Sequence, residues 1–277
     1  MKGRIGPATL GRWALLTVGV VIALLPWVWM LRTALGPGQN ALGISANPIP
    51  SSITFAHFTD AFRAGALGRA LINGVIVSLA ILLLQLATAI PAAYAFACLR
   101  FRGRTALFGL VLAALLIPPQ VVAVPNYVTV SAFGLADTRL GLVLPFMTSG
   151  IGIFLLRQYM TTIPPALLEA ARMDGLGTWR TLWKIVVPLS MPAIATASTF
   201  SFLLSFNEYL WPLLEARSPS IATPPLALAR LAQGANGFPD FAQLCAAALI
   251  VSLPSLIVFV VAQRRLTAGL AGTGAAA

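Results

Sequence analysis

From Leu71 to Leu99, and again from Thr105 to Ala136, the chain carries no charged side chain. A helix of about 20 apolar residues covers the roughly 30 Å hydrocarbon core of a bilayer. Backbone in hydrocarbon has no water to bond, so only helices and closed barrels span it. Barrel strands alternate in polarity over about ten residues, and these runs do not. The class is therefore an all-α membrane protein. Ala14 to Leu31, Leu140 to Leu156 and Phe241 to Gln263 add uncharged runs, and Val187 to Leu214 adds one interrupted by Glu208 alone. Thr105 to Ala136 holds Pro118, Pro119 and Pro125 and reads as one helix with a broken extension. The sequence thus predicts six transmembrane helices.

The composition agrees: 58% of residues are hydrophobic, 9% are charged and mean hydropathy is +0.89. Soluble domains carry about 25% charged residues. A net charge of +11 would suit nucleic acid on a soluble chain, but here the basic residues stand at the ends of the apolar runs. With the N-terminus inside, 12 of the 18 fall on the cytoplasmic side; Arg32, Arg63, Arg69, Arg139, Arg217 and Arg230 fall outside. That bias predicts an N-in/C-in topology, and no nucleic-acid partner. The first apolar run follows Lys2, Arg4 and Arg12 without a small-residue cleavage site and reads as a retained helix. Cys98 and Cys245 lie in apolar runs without C-x-x-C spacing, and His57 is the single histidine, so no disulfide, metal or bound cofactor is expected. There is no G-x-x-x-x-G-K-[ST] phosphate loop and no catalytic constellation. The chain reads as not an enzyme.

Between the fourth and fifth runs lies the charged stretch EAARMDGLGTWRTLWKIVVPLSMP, Glu169 to Pro192. Thr161 and Thr162 before Pro164 and Pro165 predict a helix start. Glu169 and Arg172 can pair at i, i+3, and Gly175 and Gly177 break the helix. Trp179, Leu182, Trp183 and Val186 recur at helical spacing, opposite Arg180 and Lys184. The expected loop is helix, glycine turn, helix, entering the fifth span at Pro188. Physics leaves two readings open: an amphipathic helix resting at the membrane interface, or a handle held by another protein.

The loop resembles the signature of ABC importer permeases: Glu-Ala-Ala, then Asp-Gly, then aliphatic-Pro, matched at Glu169, Ala170, Ala171, Asp174, Gly175, Ile185 and Pro188. "FLLRQYM", "FNEYLWPLL", "QRRLTAGLAG" and "NYVTVSAFGLADTRLGLVLP" resemble the smaller permease of the maltose-type, carbohydrate-uptake class. The resemblance spans about residues 10 to 272. It implies a type I ABC importer permease fold in the bacterial inner membrane, with a cytoplasmic coupling helix seated in an ATPase subunit. Glu169 would anchor that contact and Gly175 allow the turn. The implied partners are a second permease forming a heterodimer, two ATP-binding subunits carrying ATP and Mg, an extracytoplasmic solute-binding protein, and lipid. The end, GTGAAA, departs from the Lys-Gly that family members often carry.

The expected organisation is a cytoplasmic N-terminus (1–13), a first transmembrane helix (14–35), an outer loop (36–70), the permease domain (71–265, coupling loop 159–187) and a cytoplasmic tail (266–277). In the outer loop, TFAHFTDAF should form a short surface helix. The loop from Glu215 to Asp240 should be irregular, with a short helix near Leu226 to Ala232. Asn207, Glu208, Tyr209 and Trp211 are candidates for a translocation path or gate, since a membrane-depth carboxylate normally faces a cavity or partner; they equally suit an outer-interface anchor. Gln120 and Asn126, beside prolines that free backbone carbonyls, and Thr148 and Ser149 are further candidates. The function expected by resemblance is ATP-driven sugar import by alternating access. Glycerol-3-phosphate or a glycerophosphodiester is the alternative cargo. An ion-coupled secondary transporter, with Glu208 as its single candidate coupling carboxylate, is the reading from another class.

Overall fold

The computed structural model describes residues 7–37, 50, 52–64, 66–234 and 240–274, with side chains placed from 11 to 263. The expectations for Lys2 and Arg4, for 235–239 of the loop from Glu215 to Asp240, and for the side chains of the tail lie outside the described residues. Every regular element among the described residues is helical. The chain divides into two units, Met1–Leu67 with Ala227–Ser252, and Gly68–Leu226 with Leu253–Ala277.

In the first unit α1, Pro7–Leu35, is apolar on every side. None of its best 18-residue window is buried by the chain itself, as befits a helix surrounded by lipid or by partner helices. The expected surface helix is α2, Ala56–Ala64. Thr54 donates its N–H to the Leu35 carbonyl at 2.9 Å and His57 Nε2 donates to the Gly36 carbonyl at 3.0 Å, so α2 is tied to the end of α1. The lone histidine is therefore a structural donor. Asp240 accepts the N–H groups of Ala242 and Gln243 at 2.9 and 3.1 Å, capping the helix that starts at Phe241.

The second unit begins in α3, Leu67–Cys98. Three bent pairs follow: α4 and α5 (Arg104–Ala114 and Pro119–Ala132, 96°), α6 and α7 (Arg139–Phe146 and Gly150–Met160, 44°), and α9 (Thr178–Leu189) with the segment Met191–Glu215 (80°). That last segment is α10, Met191–Phe206, and α11, Leu210–Glu215. Pro165–Met173 forms α8, Pro224–Gln233 α12 and Phe241–Gly274 α13. Among the described residues three helices are long and apolar enough to cross a membrane, or up to six if each bent pair is one span. The prolines account for two bends: Pro118 is extended (ψ 134°) ahead of α5, and Pro192 stands in the first turn of α10. Between α6 and α7 the backbone breaks at Met147 to Ser149, and Ser149 Oγ caps α7 by accepting the Gly152 N–H at 3.0 Å.

The core joins α3, α7 and α9 through Ala93, Tyr94, Leu156, Met160, Leu182 and Val186. A second cluster joins α3, α5, α6 and α11 through Val77, Ile81, Val130, Leu142 and Trp211. Small residues permit the close approaches. A Cβ on Gly74 would fall 2.5 Å from Pro224 Cδ.

The turn between α5 and α6 and the chain leaving α11 clasp each other. Asp137 adopts φ 59°, tolerable for an aspartate. Its Oδ1 accepts the N–H groups of both Arg217 and Ser218 at 2.9 Å. Those bonds, chiefly from Ser218, hold the Asp137 carboxyl below its ordinary value, with the Arg217 guanidinium assisting. In return Trp211 Nε1 donates to the Gly141 carbonyl at 3.1 Å, and Glu215, fully buried, lies against Gly141. Arg139 donates twice to Asn73 Oδ1, whose amide donates to the Ser220 and Ala222 carbonyls at 2.8 and 3.1 Å.

A methyl at position 141 would overlap Glu215 Oε1 and the Leu135 carbonyl. Gly141→Ala should therefore cost about 1–3 kcal/mol, read as a lower melting temperature in detergent. Asp137 has a depressed folded value. Its contribution is fully present above the unfolded carboxylate value of about 4 and is lost as pH falls through the lower folded value. Melting curves from pH 6 down to 3 should show this loss, and Asp137→Asn should flatten that part of the profile.

Candidate functional site: an exposed loop and an apolar cavity

The loop after α7 departs from expectation at its start. Thr161 and Thr162 do not cap α8; their hydroxyls donate to the Gln158 and Tyr159 carbonyls at 2.7 and 2.8 Å and close α7 instead. Pro164 holds the N-cap position and Pro165 the first turn of α8. Ala171 is the buried residue of α8, and Leu168 packs on the core cluster. Glu169, Ala170, Arg172 and Asp174 are exposed, and no ion pair joins Glu169 to Arg172 among the described residues. Gly175, at φ 75°, has nothing within 4 Å of where a Cβ would stand. Backbone conformation alone thus calls for glycine there. The Leu176 N–H returns to the Ala171 carbonyl at 2.9 Å and the Gly175 N–H to the Arg172 carbonyl at 3.0 Å, the pattern that ends a helix at a left-handed glycine.

In α9 the expected stripe divides. Leu182 and Val186 are buried, whereas Trp179 and Trp183 are 64% and 52% exposed. The cause is a π-helical stretch, Leu182–Val186, which turns successive residues through a smaller angle. Pro188 lacks an N–H and its ring would press on the carbonyl four residues back, that of Lys184; a wider turn accommodates it. Ile185 is half-buried and Pro188 exposed. The result is a corner with Glu169, Ala170, Asp174 and Gly175 outward, flanked by bare Met173 (88% exposed) and Trp179. It hangs from the core on Leu168, Leu182 and Val186.

A cavity of about 280 Å³ lies among α3, α6, α7, α10 and α11. Its walls are mostly apolar, and the polar residues among them are Gln85, Ser149, Ser201, Ser205, Glu208 and Thr223. The Gln85 amide donates to the Phe146 carbonyl at 3.0 Å and accepts the Ser201 hydroxyl at 2.7 Å. The Thr88 hydroxyl lies 3.1 Å from the Met147 carbonyl and shares its one proton with the Leu84 and Gln85 carbonyls, at 3.0 and 3.1 Å. Thus α3 satisfies the carbonyls freed where α6 breaks. Glu208 stands in the second break, between α10 and α11, and its Oε1 accepts the Trp211 N–H at 3.2 Å.

Of the residues singled out in sequence, the cavity gathers Ser149, Glu208 and Trp211. Asn207 lies outside it, donating to Leu203 O at 2.8 Å and Ser255 Oγ at 3.3 Å. Tyr209, Gln120 and Thr148 are exposed elsewhere and Asn126 is half-buried; none lines the cavity. Gln85, Ser201 and Ser205 were missed. Their signal was a glutamine inside an apolar run and two serines at i, i+4. No group of His, Cys, Asp or Glu among the described residues could hold a metal ion, and both cysteines are free thiols.

Residues 85–271 match the family described as binding-protein-dependent transport system inner membrane component. The chain is 30% identical over 262 residues to the sn-glycerol-3-phosphate transport system permease protein UgpE of Pectobacterium atrosepticum, covering 92% of this chain and 93% of that one. It is 31% identical over 261 residues to the trehalose transport system permease protein SugB of Mycobacterium tuberculosis, covering 93% and 94%. A chain from the crystal structure of a bacterial ABC transporter that imports the acidic polysaccharide alginate superposes with a TM-score of 0.81 at 23% identity, over 92% of this chain and 95% of that one. A second alginate transporter structure, in complex with a periplasmic protein bound to an alginate pentasaccharide, superposes with a TM-score of 0.67. The fold is the one expected, an all-helical ABC importer permease in the inner membrane. By its matched residues and its full-length relatives, the chain belongs to the family of binding-protein-dependent transport system inner membrane components.

Proposed function

We propose that this chain is one of two permeases of an ATP-driven carbohydrate importer, gripped at Glu169–Gly175 by a separate ATPase subunit. The observation carrying the reading is the corner itself. Its charged and glycine positions are exposed, while Leu168, Leu182 and Val186 tie it to α3 and α7. A pull on the corner is thereby delivered to the spanning helices as a rigid-body displacement. An 88%-exposed Met173 beside a 64%-exposed Trp179 suits a surface completed by another protein. In this reading the corner is cytoplasmic, the topology is N-in/C-in with six spans, and ATP and Mg reside on two partner subunits. A solute-binding protein docks on the outer face, and the cavity bearing Glu208 belongs to the translocation path.

A phosphorylated glycerol compound is the second cargo, favoured by the names of several relatives. A trehalose permease among the relatives favours a sugar. An ion-coupled carrier has no comparable support, since the family is one of binding-protein-dependent systems.

Co-expression with the neighbouring permease and candidate ATPase, followed by purification on a tag carried by this chain, tests the grip. The wild-type assembly should retain ATPase activity, and Glu169→Lys should retain at least about tenfold less, a loss of about 1.4 kcal/mol in association. Equal retention by both would remove Glu169 as the anchor.

A further inference from the structure

We infer that Glu208 makes the transport path select uncharged cargo, repelling phosphate esters and sugar acids. The inference rests on the reading that the cavity lies on that path. Family membership leaves the charge of the cargo open, so the discrimination must come from local chemistry.

Among the described residues Glu208 is the one charged residue lining the cavity, and no Lys, Arg or His lines it. It sits where the helix is interrupted, half-buried. Its Oε1 is occupied by the Trp211 N–H, and its Oε2 has no hydrogen-bond partner among the described residues. The remaining polar wall carries no countercharge, since the hydroxyls of Ser201, Ser205 and Thr223 are neutral. The Gln85 amide is used at both ends, by Phe146 and Ser201, and Ser149 Oγ is held by the Gly152 N–H. The cations of this unit near the clasp are committed elsewhere, Arg139 to Asn73 and Arg217 to Tyr127.

A sugar hydroxyl can donate to the free carboxylate oxygen, a charge-assisted bond. A phosphate or carboxylate group on the cargo offers acceptors and a second negative charge. In a cavity walled by apolar side chains, like charges a few Å apart repel far more strongly than in water. The same group that welcomes a polyol therefore rejects an anion.

The test uses the assembled transporter in proteoliposomes, with Cys98 and Cys245 replaced by Ala and Ser205→Cys as a reporter in the cavity wall. Two methanethiosulfonates probe it, one carrying trimethylammonium and one carrying sulfonate. With Glu208 present, the cationic reagent should react faster, relative to its rate at an exposed surface cysteine, by at least about tenfold. Glu208→Gln keeps an oxygen for the Trp211 N–H and should collapse that ratio by about tenfold, about 1.4 kcal/mol. An unchanged ratio in the Gln variant overturns the charge filter. The path is checked separately by comparing the reactivity of the reporter thiol in the resting assembly and with ATP and vanadate. Reactivity that differs between the two supports the path. Reactivity that is the same in both removes the cavity from the path, and the filter with it.

Discussion

A helix that breaks inside hydrocarbon must hand its orphaned amides and carbonyls to something other than water. This chain breaks its membrane helices repeatedly, and the rest of its architecture follows from how each break is repaired. Where α6 ends, Gln85 and Thr88 of α3 reach across to the Phe146 and Met147 carbonyls. Ser149 takes the Gly152 amide in the first turn of α7. Where α10 ends, Glu208 takes the Trp211 amide. Each repair places a polar side chain at depth, and the polar lining of the cavity is largely these repair groups seen from the other side. The cavity's chemistry is thus set by the need to satisfy backbone.

The repairs also determine which parts move together. Gln85 bonds α6 and α10 at once, through Phe146 and Ser201, so three helices share one side chain. At the clasp, Asp137 holds two amides of the chain leaving α11 while Trp211 holds the carbonyl of Gly141. A displacement of α10 and α11 must carry the α5–α6 turn with it, or break several bonds together. The exposed corner enters the same body through Leu182 and Val186. These bonds and contacts make one body of the segments they join, because packed cores switch between arrangements and do not deform smoothly.

Much of this was legible in the sequence, for a definite reason. Apolar length is a local property, so the spans around Leu71 to Leu99 and Phe241 to Gln263 could be read directly. Proline is equally local, and Pro118 and Pro119 marked the sharpest bend. Glu208 announced itself as a charge within an apolar run. Gln85 did not, since its partners lie 61 and 116 positions away and nothing nearby in sequence hints at them. The same holds for the clasp, where Asp137 meets residues 80 and 81 positions later. Asn207 and Tyr209 stand beside Glu208 in sequence, but an interrupted helix fans its residues apart, and only Glu208 and Trp211 turn to the cavity.

The failure of the tryptophan stripe is the more instructive case. A period of 3.6 places Trp179, Leu182, Trp183 and Val186 on one face, and the period is wrong here because Pro188 widens the turn before it. Proline acts on residues that precede it, through the carbonyl four positions back. The consequence is functional as well as geometric. Burying all four would have folded the loop against the spanning helices. The widened turn keeps Leu182 and Val186 inside as anchors and turns Trp179 and Trp183 outward, so one segment both grips the core and presents a bare aromatic surface. One segment thus has both faces, and a single proline near the end of α9, Pro188, supplies them.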